Sequence, residues 1–233
     1  MQRRLFRDTI APDPLAYWIG MGDDAEFITP SDPRWDIGVI ASWVDVDNIA
    51  EEQTKTVVEI QSPAKDCCIG KLTGNHEEGI RIHSHINVHK NICNKLGVPS
   101  LGYTAFVRLV FRRRKSSEAH QFVFLVTHGA GCAITKGAKL NRLQRLMDSF
   151  EADAYAHAHV HDIITDTKPY LTLNANGEIK QREKVGAMTG SFFTTYAQGV
   201  PASYGERKNY PPTVLGCPVF KIKPQEDKIW VEG

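Results

Sequence analysis

The chain has 233 residues, 42% of them hydrophobic and 24% charged, which is enough to bury one substantial core as a single domain over residues 1–233. A formal net charge of +1 excludes any general electrostatic pull toward nucleic acid or an anionic membrane. No apolar run is long enough to span a bilayer, no signal-peptide core opens the chain, and five cysteines, with Cys67 and Cys68 adjacent, make no secreted disulfide framework; a cytoplasmic protein with no membrane partner is expected.

Residues 1–10 (MQRRLFRDTI) read as a basic helix, stopped by Ala11-Pro12-Asp13-Pro14 before a strand over 15–21. A loop with two prolines over 27–36 leads to a helix through 46–60, which Ser62-Pro63 ends. Residues 65–72 form a strand with Cys67 and Cys68 in the core, and 79–96 are mostly helical with a polar, charged surface. The runs 101–112 and 121–126 make a hairpin around the polar tip 113–120. Residues 136–150 carry Leu140, Leu143, Leu146, Met147 and Phe150 at helical spacing, and 153–156 begin the next strand. Residues 163–172 and 179–185 pair around the turn Asn174-Ala175-Asn176-Gly177, and 214–231 add two strands with Asp227 in their turn. The alternation predicts an α/β fold, a mixed sandwich of two sheets with helices outside, without internal repeat or linker.

Four apolar, strand-like runs end in glycine or a small residue and then present oxygen or nitrogen donors. They are Ile19-Gly20-Met21-Gly22-Asp23-Asp24, Leu72-Thr73-Gly74-Asn75-His76-Glu77, Phe124-Leu125-Val126-Thr127-His128-Gly129 and Ala158-His159-Val160-His161-Asp162. Strand ends are where open α/β sheets put their chemistry, and in an extended strand end residues i and i+2 face one side, so His159 and His161 can share a cleft. Asp, Asn and His without thiolate suit Mn, Fe, Zn or Ni better than a structural zinc site. Each residue also has a plainer reading: Asp23 or Asp24 as a cap, Asn75 as a turn residue, His128 as a hydrogen-bonded buried histidine. His83, His85 and His89 read as surface or substrate-facing, although His85 and His89 stand four apart on the expected helix. His157 leaves the register of the HAHVH run open. Residues 112–115 (RRRK) are a solvated tip or a grip on nucleic acid, and Phe192, Phe193, Tyr196 and Tyr204 are packing residues or substrate contacts.

The order GD, GNHE, H and HxH resembles the calcineurin-like metallophosphoesterases, from about Phe6 to the C-terminus. The resemblance implies a four-layer α-β-β-α sandwich that hydrolyses phosphate mono- or diesters with metal-activated water at a pair of divalent ions. It implies that Asp23 bridges the two ions, that Asn75, His128 and His159 hold the second, and that His161 goes to the first. His76 would stay off the metals, to contact the phosphoryl group or protonate the leaving oxygen. Ala158 replaces the glycine that usually precedes HxH, and Glu26 stands where the family carries Asp or Asn. The family's opening D-x-H motif is absent, since all nine histidines lie at or beyond His76. The first strand of the resembled fold is therefore expected to be missing, and its first metal site to lack two ligands. Two other readings stay open: a catalytically impaired pseudoenzyme or single-metal binding protein of the same fold, and a metal-dependent nuclease supported by the 112–115 tip. A phosphoester is the expected partner, nucleic acid a weaker one, and the sequence carries no signal of oligomeric state.

Overall fold

Apolar or alternating runs form the strands, and stretches with apolar residues three or four apart form the helices, giving an α/β fold of sheets flanked by helices. The computed structural model describes residues 1–233, the side chains of Val39 and Tyr204 excepted. The chain divides into two compact units, residues 1–103 with 194–212 and residues 104–193 with 213–233.

In the first unit α1 (Gln2–Arg4) runs into a π-helical turn, Leu5–Ile10, and the buried Phe6 meets Trp18 edge to face, centroids 4.8 Å apart. The strand expected over 15–21 shrinks to β1 (Trp18–Gly20), because Leu15 and Tyr17 stay exposed and gain nothing from a sheet. After α2 (Ile49–Gln61), Ser62–Cys67 is a 3-10 turn with proline in its first turn, so β2 (Cys68–Leu72) starts three residues later than expected. Cys67 and Cys68 are half-buried rather than core residues, and the Cys67 thiol donates to the Ala64 carbonyl at 3.2 Å.

The helical stretch expected over 79–96 is two helices, α3 (Asn75–Ser84) and α4 (Val88–Leu96). His85 ends α3 in the left-handed region, φ 56°, and the Asn87 side chain caps α4 by accepting from the Lys90 N–H at 2.9 Å. β3 (Ser100–Gly102) completes a parallel sheet in the order β1-β2-β3. Phe27, Val57, Ile80, Val88, Ile92 and Leu96 form this unit's core.

The second unit holds a mixed sheet. β4 (Thr104–Arg112) and β5 (Ala119–Thr127) make the expected hairpin, and α5 (Lys136–Ser149) crosses over to β6 (Ala154–His157), which lies parallel to β5. β7 (Ile163–Leu173) and β8 (Ile179–Thr189) pair antiparallel, and β8 inserts beside β6 to give the order β4-β5-β6-β8-β7. The turn at 174–177 closes with the Gly177 N–H on the Asn174 carbonyl at 3.0 Å. β9 (Val219–Lys223) and β10 (Lys228–Glu232) form a third hairpin, with Asp227 left-handed at φ 49° in its turn. Leu143 and Met147 of α5 pack with Leu125, Tyr155, Val160 and Met188, whereas Phe150 is exposed and Lys139 is buried. Among the described residues, no helix is long and apolar enough to cross a membrane.

Candidate metal centre

β1 and β2 are parallel neighbours, so the residues after each leave from the same edge of the sheet. After β1 the chain turns through Gly22 and Asp23, both left-handed at φ 83° and 54°. After β2 it passes Gly74 and enters α3 at Asn75, so Asn75 is a helix-start residue rather than a turn residue. Gly74 has no side chain to satisfy the free N–H groups of the helix. Asp23 supplies one instead: its Oδ1 accepts from the His76 N–H at 3.0 Å, setting the carboxylate at the positive end of α3. A Cβ on Gly74 would stand 2.1 Å from that same oxygen, so only glycine lets the two strand ends come this close.

Glu77 fixes both turns. It is 1% exposed, and its carboxylate accepts from the N–H groups of Gly74 at 2.8 Å, Asp23 at 3.0 Å and Asp24 at 2.8 Å. Burial, then the charges of Asp24 and Asp23, push its carboxyl up to about 7, while backbone donors oppose the rise. Asp24 is not a cap. Its Oδ1 accepts from Lys71 Nζ at 2.7 Å and Gln61 Nε2 at 2.9 Å, and the Lys71 side chain is wholly buried. His76 donates from Nδ1 to the Glu26 carbonyl at 2.8 Å, with the Glu26 carboxylate 3.6 Å away, which leaves Nε2 as the nitrogen turned to other partners.

In the second unit β5 and β6 are parallel, and His128 and the loop 158–162 leave from one end of that pair. His128 is 1% exposed, and its ring meets that of His159 edge to face at 5.3 Å. The extended geometry expected of the HxH pair does not hold. β6 stops at His157, and His159 and His161 both take left-handed φ values, 69° and 50°. Such backbone costs a non-glycine residue about 1–2 kcal/mol, so tertiary contacts must hold the loop. Two do so: Val160 is buried in the core, and the buried Asp162 carboxylate accepts from Lys139 Nζ at 3.2 Å. His161 lies 6.5 Å from the Phe193 ring, centroid to centroid. His157 is buried in its strand and donates from Nδ1 to the Ala158 carbonyl at 2.8 Å.

Within the second unit His128 and His159 bring two imidazoles together, their ring centroids 5.3 Å apart, while Asp23 presents its carboxylate within the first unit. Paired imidazoles without thiolate are donors suited to a borderline divalent ion.

The other histidines take plainer places. His83 and His85 are exposed, and because His85 lies in the break between α3 and α4 it shares no helix face with His89. His89 is buried, against the surface reading, and its Nε2 bonds Ser100 Oγ at 2.8 Å, while burial lowers its pKa. Arg113 pairs with Glu118 at the exposed tip, 3.3 Å. Phe193 and Tyr196 are exposed, and the Tyr204 side chain lies outside those described. Sequence reasoning missed Lys71, Glu77 and Lys139 as organisers of the two turns. A lysine inside the apolar run Cys68-Ile69-Gly70-Lys71-Leu72 was the available signal, since a charge in a buried strand requires a partner. Compared with protein-family models, with curated proteins and with solved structures, the chain matches none.

Proposed function

We propose that this protein hydrolyses phosphate mono- or diesters with a divalent metal, Mn, Fe, Zn or Ni, held by Asp23, Asn75, His128 and His159. The proposal includes the four-layer sandwich and chemistry of the calcineurin-like metallophosphoesterases that the motif order resembles. The observation that carries it is the pair of His128 and His159 beyond the ends of β5 and β6, whose ring centroids lie 5.3 Å apart. A bound divalent ion would supply hydroxide near neutral pH and neutralise phosphate oxygens. The remaining work falls to side chains. His76, held by its Nδ1–H on the Glu26 carbonyl, offers Nε2 to the phosphoryl oxygens or, protonated, to the leaving oxygen, an effect of about 10²- to 10⁴-fold. Glu26 thus positions the imidazole at the place where the resembled family has Asp or Asn. Glu77 and Lys139 hold the backbone on which the donors sit.

A second reading has its own observation. The opening D-x-H motif of the resembled family is absent, all nine histidines lying at or beyond His76, which favours a protein that holds one ion. Elemental analysis after refolding in excess Mn or Zn, together with hydrolysis of bis(p-nitrophenyl) phosphate, separates the two. The hydrolase reading expects chelator-sensitive hydrolysis that falls at least about 100-fold in His159→Ala and Asn75→Ala, with circular dichroism unchanged. About one bound equivalent without hydrolysis would leave only the single-metal protein, and no retained metal would end both readings.

A further inference from the structure

Within the second unit, the ends of β5 and β6 and one face of α5 line an open groove of about 590 Å³, well inside the range of small-molecule sites. One end is basic. Arg142 and Arg145 project from neighbouring positions on α5, with Asn141 beside them, and no carboxylate lines the groove. Arg142 is anchored by donating to the Ala130 carbonyl, whereas Arg145 is exposed and makes no ion pair among the described residues. The other end is apolar, formed by Leu146 and Phe150. The Phe150 ring is 41% exposed and is steadied by Phe106, edge to face at 6.3 Å. Gly129, at φ 80°, keeps the floor open where a Cβ would stand 2.1 Å from the His157 ring.

Two guanidinium groups in a concave site without acidic compensation call for an anion, and their planar forks match phosphate oxygens. The exposed phenyl ring at the far end calls for a flat, weakly polar body. A lone phosphate would use one end, and a lone apolar ring the other. We infer that this groove binds a nucleoside phosphate, with Arg142 and Arg145 on the phosphate and Phe150 against the base. Thr127 and Gly129, which line the groove, flank His128 in the chain, so the ligand would sit at the strand end that carries that histidine. The inference deepens the phosphoester reading by naming the substrate class, and it rests on that reading for what is done to the ligand, though not for binding.

The test is calorimetric titration of the full chain with AMP in excess chelator, with inorganic phosphate and adenosine as separate probes. AMP should bind one to one, more tightly than either fragment, and more weakly as salt rises. Arg145→Glu should weaken AMP at least about tenfold. Phe150→Ala should weaken AMP while leaving inorganic phosphate unchanged; circular dichroism controls for folding in both variants. No AMP binding by the natural chain, AMP bound no better than inorganic phosphate, or an unchanged affinity in folded Arg145→Glu would each overturn the assignment. Because metal is chelated throughout, failure of the metal centre leaves this result standing. Metal-dependent hydrolysis of bis(p-nitrophenyl) phosphate without AMP binding would remove the groove alone.

Discussion

Replacing Lys71 by methionine tests the buried ion pair that sits directly beneath the Asp23 turn. The Lys71 ammonium is 0% exposed, lies 2.7 Å from Asp24 Oδ1 and 2.8 Å from Gln61 Oε1, and the Asp24 side chain is 7% exposed. At that separation the attraction is roughly 6 kcal/mol for an effective dielectric near 20, and desolvation of both ions offsets most of it. Lys71→Met keeps the side-chain volume but leaves the Asp24 carboxylate buried with the Gln61 amide as its remaining donor, since Asp24 Oδ2 has no hydrogen-bond partner among the described residues. The expected cost is about 3–5 kcal/mol, the cost of an uncompensated buried charge. Asp24→Asn should cost a comparable amount by leaving the ammonium unpaired. The double variant, with no buried charge left, should cost much less than the sum, a coupling of about 2 kcal/mol or more. Urea unfolding followed by tryptophan fluorescence is the assay, because the Trp18 ring lies 5.4 Å from the Lys71 ammonium. The midpoint should fall by roughly 1–3 M for the single variants. A Lys71→Met cost under about 1 kcal/mol, or additive costs in the double variant, would refute the reasoning.

Two further expectations rest on other contacts. Gly129→Ala would force a Cβ to 2.1 Å from the His157 ring at a φ of 80°, so thermal melting should show a loss of about 2–4 kcal/mol; an unchanged melting temperature would mean that the strand end is not packed as described. Hydrogen bonding from the Arg34 side chain holds the Asp32 carboxyl down to about 2, below its ordinary value of 3.8. A folded-state pKa below the unfolded one stabilises the protein above about pH 4, and that stability fades as pH falls toward 2, by no more than about 2 kcal/mol because Arg34 is partly exposed. Urea midpoints measured across this window should lose that part of their slope in Asp32→Asn, and an unaltered slope would show that the pair contributes nothing.

Residue order alone determined which donor side chains the chain carries and most of its elements. The 3.6-residue spacing of Leu143 and Met147 marks α5, the Asn174 to Gly177 turn marks the β7–β8 hairpin, and glycine next to Asp23, Asn75 and His128 marks the ends of apolar strands. These patterns are local, because a helix face, a strand and a turn each arise from residues within a few positions of one another. The backbone of the HxH segment was not legible. Alternation predicts an extended pair, but burial of Val160 and the Lys139–Asp162 ion pair hold His159 and His161 in a left-handed turn whose cost no local preference would accept. The same applies to Asp24, which looks like a cap by spacing and becomes the partner of Lys71, a residue 47 positions away. Glu77 belongs to a recognisable motif, yet its three N–H donors come from two strand ends that only the parallel pairing of β1 and β2 brings side by side. A buried charge or a strained turn is settled by whatever the rest of the chain packs against it, and that packing joins residues whose separation in sequence carries no periodic signal.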